Sequence, residues 1–417
     1  MSYVRHEEDS LGKAYDPRLV RRLLSFVRPY AGQVAIAVAI LVVVAVFELA
    51  LPYLTRSAID DHIVATARIV RAPSSEEEVS RFIREHRADL VSADPAAAGS
   101  PGEAVYFVSS KKLSSYDPRR VAAMSEAGFI GEVNYYLAAR DALTRAGVER
   151  APSHVSAGEL VAIPYEELSS LPPDQLAEIR SDDLRGVARI AVIILVILVV
   201  SFVSTVFQIN MMEMTSQRVM YDIRMKVVRH LMKLSLAFFD RNPVGRLVTR
   251  TTNDIEVLHE MFTSIVITLL RDVFILIGVI ILLLRLDWRL ALVSFAVLPF
   301  MAWATAVFSV KIRDAFREVR IKVAKINASL QENISGMRVS QIFRREAENL
   351  RRFSVINHEN FLAAMRQIRV FAMFMPLMEL SSAVAIALVI WYGGGKVIQT
   401  TLSLGTLVAF LSYVQMF

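Results

Sequence analysis

The chain has 417 residues, of which 54% are hydrophobic and 21% charged, and its mean hydropathy is +0.43. This is more apolar side chain than a water-soluble protein can bury, which excludes an ordinary soluble enzyme and predicts an all-α polytopic membrane protein. The absence of cysteine excludes disulfides, thiolate metal sites and cysteine nucleophiles. The net charge of +6 comes from membrane-flanking segments, where basic residues indicate topology and not nucleic-acid binding.

Six apolar runs predict six membrane-spanning helices. They cover residues 33–54, 190–209, 261–284, 290–310, 370–392 and 402–417. At 1.5 Å of rise per residue, the first five can cross a hydrocarbon core of about 30 Å, whereas the sixth reaches only about 24 Å. We therefore expect the sixth span to be cut short. Residues 1–32 are predicted to be a cytoplasmic segment without a cleavable signal peptide.

Basic residues predict the orientation of the spans. Six Lys or Arg precede the first span, 8 lie in residues 210–260 and 13 in residues 311–369, against 2 in 285–289 and 1 in 393–401. Because basic residues concentrate on the cytoplasmic side of a membrane, the N-terminus and both long stretches are predicted to be cytoplasmic. Residues 62–186 and the two short turns then lie outside the cytoplasmic (inner) membrane.

The external insert, residues 62–186, differs in composition from the spans. Its 14 basic and 19 acidic residues give a net charge of −5, and Pro, Gly and Ser interrupt it often. Helical patterns alternate with strand-like runs, which predicts a small α+β domain. The helical patterns lie at 75–90, 118–126 and 133–146, and the strand-like runs at 104–108 and 160–164. The alternative is a partly disordered acidic loop.

Both long cytoplasmic stretches continue the helical pattern of the spans with almost no Gly or Pro, so each is predicted to form a helical hairpin. In the first, the helix breaker is Asn242-Pro243-Val244-Gly245, and arms of about 25 residues would reach roughly 37 Å beyond the membrane. In the second, the best candidates for the turn are Asn327-Ala328-Ser329 and Gly336. Tips so far from the membrane are expected to meet a cytoplasmic partner.

The tip of the first hairpin is the most informative motif, Phe238-Phe239-Asp240-Arg241-Asn242-Pro243-Val244-Gly245. It closely resembles the first intracellular loop of ATP-binding cassette exporters of the six-helix type, in which such residues form a short coupling helix. Residues 331–343 resemble the second loop of that family, and residues 404–413 its entry into the sixth helix. The resemblance implies coupling to a nucleotide-binding domain by Phe238, Phe239, Asp240, Arg241, Asn242, Gly245, Asn327, Glu332 and Gly336. The alternative is that the two Phe only pack the hairpin onto itself.

The resemblance implies the type-1 transmembrane domain over residues 33–417, two such halves forming a homodimer or heterodimer, and outward transport of a drug, lipid or peptide. The nucleotide-binding domain of the family is absent, so we expect this chain by itself to be no enzyme, and ATP and magnesium to bind at that domain. The sequence Gly393-Gly394-Gly395-Lys396 lacks the remaining residues of a phosphate-binding loop, and we interpret it as an outer turn.

Four ionisable residues lie inside the predicted spans, namely Glu48, Arg271, Asp272 and Glu379. Because a charge in hydrocarbon costs several kcal/mol, such residues are expected to face the bundle interior or an aqueous cavity. Two alternatives are that the adjacent Arg271 and Asp272 partly neutralise each other, and that Glu48 lies at a cavity rim. The candidate residues of a substrate cavity are Glu48, Arg271, Asp272, Glu379, Ser381 and Ser382.

The sequence Asp60-Asp61-His62 ends the first span. Three consecutive residues with a single His make a poor metal site, so we predict no metal and expect these side chains to be solvated. Two other protein classes remain open. A membrane sensor or scaffold with an external ligand-binding domain would need a cytoplasmic signalling domain, and an ion-coupled transporter typically uses discontinuous helices. The expected partners are the lipid bilayer, a second transmembrane half and a nucleotide-binding domain, and no nucleic acid.

Overall fold

The computed structural model describes residues 26–73, 77–94, 104–113, 116–148, 153–260, 266–399 and 401–416. These residues form a bundle of long helices and a sheet-containing insert that leaves the bundle after its first helix. Most of the predicted N-terminal segment (residues 1–25), the start of the predicted third span (261–265) and Phe417 lie outside the described residues.

The first long helix, α1, covers Ala31–Ala58 and follows a 3₁₀ turn at Arg28–Tyr30. It passes directly into a π-helix at Ile59–Ile63, hereafter the π-turn, in which the Val64 N–H donates to the Ile59 carbonyl across 2.7 Å. Asp60 is buried in this turn, so the expectation of a solvated side chain is wrong there. Its carboxylate is buried because hydroxyl and backbone donors from the far end of the chain replace water around it.

The insert contains strands and short helices within its described residues. In chain order they are β1 (Ala67–Ala72), α2 (Glu77–Glu85), β2 (Leu90–Ser92), β3 (Ala104–Ser109), α3 (Ser110–Leu113), α4 (Pro118–Glu126), β4 (Ile130–Ala139), α5 (Arg140–Arg145), β5 (Val155–Ala157), β6 (Leu160–Pro164), α6 (Tyr165–Ser170) and α7 (Pro173–Ile179). The strands form one antiparallel sheet in the order β2-β3-β1-β4-β6-β5. The Asp94 N–H donates to the Ser156 carbonyl across 2.9 Å, so the sheet curls until its two edges meet.

The insert is built from two halves with the same element order. Each half runs strand, helix, strand, strand, helix, helix, and the sheet order is symmetric about the central β1–β4 pair. The sequence carries a short trace of the same repeat at an offset of 55 residues, because Leu113-Ser114-Ser115 recurs as Leu168-Ser169-Ser170. Leu113 and Leu168 are both buried. The insert is therefore an internal duplication with a pseudo-twofold axis between β1 and β4.

The predicted elements of the insert are partly confirmed. The helix at 118–126 and the strands at 104–108 and 160–164 are present, and the helical pattern at 75–90 holds the shorter α2. The predicted helix at 133–146 is wrong, because residues up to Ala139 form β4 and only Arg140–Arg145 is helical. Tyr135, Tyr136 and Leu137 favour a strand, and pairing with β1 and β6 decides the outcome over local helix propensity.

The remaining elements are helical and several are very long. In chain order they are α8 (Ser181–Leu231), α9 (Leu236–Arg241), α10 (Val244–Thr251), α11 (Asn253–Glu260), α12 (Val266–Leu286), α13 (Trp288–Phe295), α14 (Leu298–Ser335), α15 (Met337–Ile342), α16 (Glu346–Ile398) and α17 (Leu404–Met416). Four helical segments within the described residues are long and apolar enough to cross a membrane, namely Arg28–Ile63, Ser181–Leu231, Trp288–Ser335 and Glu346–Ile398. Helix α12 has 21 residues, enough for about 31 Å.

One predicted boundary in the bundle is wrong, and one predicted span is interrupted. Within the run 290–310, α13 ends at Phe295 and α14 restarts at Leu298 with Pro299 in its first turn, although Trp288–Ser335 as a whole is long and apolar enough to cross a membrane. The glycines from Gly393 do not form an outer turn, since α16 continues to Ile398. Gly393 is needed where α16 meets α17, because a Cβ there would lie 2.6 Å from a methyl of Leu407.

The helix ends near Asp287 and Lys396 are fixed by polar contacts. Asp287 caps α13 by accepting hydrogen bonds from the N–H groups of Arg289 and Leu290, at 2.9 and 3.0 Å. Its second oxygen pairs with Lys396 of α16 at 2.6 Å. In the core below, Phe410 and Tyr413 of α17 are fully buried, and the Tyr413 hydroxyl donates to the Leu49 carbonyl of α1 across 2.7 Å. Helix α17 is thus held between α1, α12, α13 and α16.

Candidate functional site

The tip of the first hairpin is a short helix, α9, between two strong helix breakers. Ser235 precedes it with an extended backbone, and Asn242-Pro243 ends it because the residue before a proline disfavours helical geometry. The Asn242 side chain donates to the Phe238 carbonyl across 2.9 Å, which satisfies an acceptor at the end of α9. The aromatic motif therefore lies on a separate helix of one and a half turns, between α8 and α10.

The two aromatic rings of α9 contact each other and leave apolar surface exposed. Phe238 and Phe239 are half-buried and form an edge-to-face pair with centroids 5.6 Å apart. The alternative that the two Phe only pack the hairpin onto itself is not tested by this contact, which joins neighbouring residues of one short helix. The ring pair does not cover the tip, because Leu236 is 78% exposed and Val244 is 68% exposed. Asp240 is exposed, and a Cβ at Gly245 would meet nothing within 4 Å, so this chain alone does not require glycine there.

The tip of the second hairpin lies at Gly336, where α14 ends, and includes α15 and the turn before α16. The turn is closed by Arg344 with φ of +54°, and the Asn349 side chain donates to Ser340 Oγ across 2.9 Å. The prediction of a turn at Gly336 is confirmed. A turn at Asn327-Ala328-Ser329 is wrong, because these residues lie within α14, where packing against α16 outweighs the turn preference of Asn and Ser. Asn327 is therefore about 13 Å along the helix from the tip.

The second tip also exposes apolar surface. Phe343 is 72% exposed and Ile342 is 67% exposed, although both are large apolar residues. Glu332 and Gly336 line an open groove of about 720 Å³ beside Phe343. Exposed apolar surface rimmed by polar groups is typical of a protein interface. The groove and the two side chains therefore form a candidate docking surface.

Ion pairs join the arms of the second hairpin. Lys322 of α14 pairs with Glu359 of α16 at 2.8 Å, and Glu318 pairs with Arg366 at 2.6 Å. The hydrogen bond from Lys322 lowers the pKa of the Glu359 carboxyl below its usual value. Exposed ion pairs of this kind contribute little to stability, so most of the stiffness comes from the long packed helices. The arms can transmit displacement along their length.

Within the predicted spans, the structure brings together Glu48 of α1 and Arg271 of α12. Their charged groups are 2.6 Å apart. The two helices pack closely nearby, because a Cβ at Gly278 would collide with the Leu49 side chain. Arg271 thus has a carboxylate partner on another helix, so its charge does not depend on partial neutralisation by its neighbour Asp272. Adjacent side chains on a helix point about 100° apart, which favours a partner across the helix interface.

The other candidate cavity residues occupy different environments. Ser381 is buried and donates to the Leu377 carbonyl one turn back on α16, so its hydroxyl is already used. Ser382 lines an apolar cavity of about 100 Å³ together with Ser294 and residues of α12 and α17. Asp272 and Glu379 are exposed on the surface of the single chain. Only the Glu48–Arg271 pair among these candidates is a direct contact between two helices.

The fold defines a multi-pass membrane protein in which long helices extend from apolar spans into two hairpins with apolar tips. The family described as ABC transporter transmembrane region matches residues 172–417, and the chain belongs to this family. The resemblance drawn from the hairpin motifs is confirmed. The match covers α8 and all later helices, while most of the insert and α1 lie outside it.

Several curated proteins are similar to this chain. An uncharacterized ABC transporter ATP-binding protein, YknV of Bacillus subtilis (strain 168), is 37% identical over 244 residues, which are 58% of this chain and 40% of YknV. The ATP-dependent lipid A-core flippase of Syntrophus aciditrophicus (strain SB) is 32% identical over 49% of this chain and 34% of its own length. A probable multidrug resistance ABC transporter ATP-binding/permease protein, YheH of Bacillus subtilis, is 27% identical over 49% of this chain and 31% of YheH. The matched part of this chain spans well under half of each relative.

Proposed function

We propose that the chain is the membrane-spanning half of an ATP-driven exporter that moves an amphiphilic molecule, a lipid or a drug, from the cytoplasmic leaflet outward. The observation that carries the proposal is the pair of long helical hairpins whose tips expose apolar side chains. Such tips can bind a soluble ATPase domain, whose motion would then displace the long helices. The substrate class is inferred from relatives that are named a lipid flippase and a multidrug resistance transporter.

A second transmembrane half is part of the proposal. The arms of the second hairpin expose large apolar side chains beyond the predicted span boundaries, including Phe316, Ile321, Val355, Phe361 and Leu362. Apolar surface of this extent in water favours burial against another protein surface. A second copy or a paralogous half, packed along these arms, would cover it. The transport pathway would then lie between the halves, with the Glu48–Arg271 pair on its wall.

ATP and magnesium would bind at a nucleotide-binding domain docked on the two tips. The residues described for this chain offer no phosphate cradle at Gly393-Gly394-Gly395-Lys396, because these residues lie inside α16, where backbone N–H groups are used in the helix. Conformational changes of that domain would displace α9 and α15 of this chain. The long helices would transmit this displacement into the membrane.

Transport assays with and without the motor domain test this function. The purified chain alone, in proteoliposomes, is expected to show no ATP hydrolysis and no binding of ATP in a calorimetric titration. The same chain with a nucleotide-binding domain supplied as a C-terminal extension is expected to hydrolyse ATP and to translocate a fluorescent phospholipid or a cationic dye. ATP binding to the chain alone at micromolar affinity would contradict the proposal, as would an extended chain that hydrolyses ATP without moving either probe.

The proposed topology places the N-terminus and both hairpins in the cytoplasm and the insert outside the inner membrane. The cysteine-free chain allows single cysteines as reporters. A cysteine at the exposed Ala127 of the insert is expected to react with a membrane-impermeant maleimide added to intact cells. One at the exposed Ala347, beside the second tip, is expected to react only after the membrane is opened. Labelling of Ala347→Cys in intact cells would overturn the orientation.

A further inference from the structure

Three consecutive side chains in the π-turn contact three different parts of the protein. Asp60 contacts the start of α17, Asp61 contacts the insert, and His62 contacts the start of α8. The π-helical geometry is rare and is typically retained at functional positions. One turn of the backbone therefore connects the insert to the outer ends of three long helices.

Asp60 fixes the outer end of α17. Its side chain is only 3% exposed, and its two oxygens accept hydrogen bonds from the Gly405 N–H at 2.8 Å and from Ser403 Oγ at 2.7 Å. Arg56 lies 3.4 Å from the same carboxylate and balances its charge. A Cβ at position 405 would lie 2.6 Å from both the Arg56 carbonyl oxygen and Asp60 Oδ1, so only glycine fits. A carboxylate at a helix N-terminus is also favoured by the helix dipole.

Asp61 connects the same turn to the insert. Lys111, the second residue of α3, forms an ion pair with Asp61, and Ser57 donates to the other Asp61 oxygen across 2.6 Å. Burial raises the pKa of the Asp61 carboxyl, but the hydrogen bonds from Lys111 and Ser57 outweigh this and leave the pKa below its usual value. Beside this pair, the Ser110 N–H donates to the Thr66 carbonyl at 2.8 Å. The first half of the insert is therefore anchored on the π-turn.

His62 completes the junction. Its ring lies against Gly186 of α8, where a Cβ would collide with it, and its Nδ1 is 3.6 Å from the Asp183 carboxylate. Asp183 also accepts a hydrogen bond from the Tyr136 hydroxyl of β4 at 2.9 Å. Arg180 donates to the His62 carbonyl at 2.5 Å. The second half of the insert therefore contacts the start of α8, next to the π-turn.

The internal duplication shows that the anchor is specific to one half. The position equivalent to Lys111 in the second half is Glu166, 55 residues later, and its side chain is exposed. The fold of the repeated unit thus does not require a lysine at that position. Lys112, the next residue, pairs with Asp89 inside the insert at 2.8 Å. Of these two lysines, Lys111 is therefore the one that forms an ion pair with Asp61 of the π-turn.

We propose that the π-turn transmits the position of the external insert to the outer end of α17, with Asp60 as a positioning residue and Lys111–Asp61 as the connection to the insert. A π-turn that loses one flanking contact relaxes towards α-helical geometry, which rotates the side chains around it. Rotation of Asp60 removes its carboxylate from the Gly405 N–H in the first turn of α17. In the exporter proposed above, on which this role in transport rests, a displacement of the insert would alter access at the outer face.

Hydrogen–deuterium exchange of the whole chain in lipid nanodiscs tests the connection, because the first amides of α17 report on Asp60. Gly405 N–H donates to Asp60, and Thr406 N–H donates to Ser403 Oγ at 3.2 Å. We expect Lys111→Gln to speed exchange of these amides about fivefold, a coupling of the usual size between linked sites. Asp60→Asn should speed the same amides directly, and Lys111→Arg should restore slow exchange.

Two matched control variants distinguish a specific effect of Lys111 on α17 from a general loss of stability. Lys112→Gln breaks an ion pair of the same type within the insert, and Glu166→Gln changes the repeat-equivalent position. Both are expected to leave the α17 amides at the wild-type rate. If Lys111→Gln also leaves them unchanged, or speeds the core amides of Ala385 and Val389 equally, the proposal is overturned. The measurement needs no ATP and no substrate, so its result is independent of the proposed transport function.

Discussion

Reversing the charge of Arg271 alone is expected to remove most of the correctly folded protein from the membrane, and reversing Glu48 as well is expected to restore it. The single variant Arg271→Glu places two carboxylates where the structure has an ion pair of 2.6 Å. An unpaired charge within a span costs about 3 kcal/mol, and like charges in contact cost more. That is a large fraction of a typical folding stability of about 5–15 kcal/mol. Size-exclusion chromatography of detergent-solubilised protein measures the folded fraction.

The neighbouring residue provides the control for this charge reversal. Asp272 lies beside Arg271 on α12 but is exposed and points in another direction. Asp272→Asn is therefore expected to yield normal amounts of folded protein. If the double variant Glu48→Arg with Arg271→Glu folds no better than Arg271→Glu, the ion pair is not the reason that Arg271 is needed.

The same double variant also tests the proposed transport pathway. It keeps the packing of α1 on α12 while it reverses the direction of the local field on the proposed wall. If the pair lines the pathway, a folded double variant attached to its motor domain should transport cationic and anionic amphiphiles in a different ratio from the wild type. An unchanged ratio would leave Glu48 and Arg271 with a role in folding alone.

The long helices follow from the sequence for a simple physical reason. In a bilayer, an apolar run can satisfy its backbone hydrogen bonds only as a helix or a closed barrel, so runs of 20 or more residues leave little choice. The hairpin arms are predictable because helical periodicity continues from the spans through residues 210–231 of α8 and 346–369 of α16, which contain no Gly or Pro. Gly393 is a position where the sequence misleads, because it suggests a turn, whereas the glycine lies in a close contact between α16 and Leu407 of α17.

The insert and its contacts with the π-turn are harder to predict, because their structure depends on residues that are distant in sequence. Whether Tyr135 and Tyr136 form a strand depends on β1 and β6, which are remote in sequence. The burial of Asp60 depends on Gly405, 345 residues away. In the sequence, both halves of the insert contain Leu-Ser-Ser followed by Pro at the same spacing, which indicates the duplication. The residues just before this motif conceal it, because they are Lys111-Lys112 in the first half and Glu166-Glu167 in the second. The Glu48–Arg271 contact likewise joins residues 223 positions apart.

The two hairpin tips should matter for coupling and not for folding. In the chain joined to its nucleotide-binding domain, Phe239→Ala with Asp240→Ala at the first tip, or Ile342→Ser with Phe343→Ser at the second, is expected to reduce transport about 30-fold. Ile342 and Phe343 are exposed apolar residues, and Phe239 is a half-buried aromatic residue beside the exposed Asp240. We expect these residues to act as interface hot spots, whose truncation costs about 2 kcal/mol. ATP binding by the motor domain should stay within about twofold of the wild type, because no tip residue would touch nucleotide.

The arm of the second hairpin supplies the control for this coupling test. Val355 is also an exposed apolar residue of α16, about 14 Å along the helix from its start at Glu346, and it lies away from the tip. Val355→Ser should therefore retain more transport than the double tip variants, because it removes one side chain from the broad arm surface proposed for the second half, whereas the tip variants remove the residues proposed to dock at α9 and α15. Transport measured in proteoliposomes, with nucleotide binding measured on the same samples, separates the two roles. Tip variants that transport at the wild-type rate would mean that Phe239 and Phe343 only stabilise their own hairpins, and that the motor domain engages another surface.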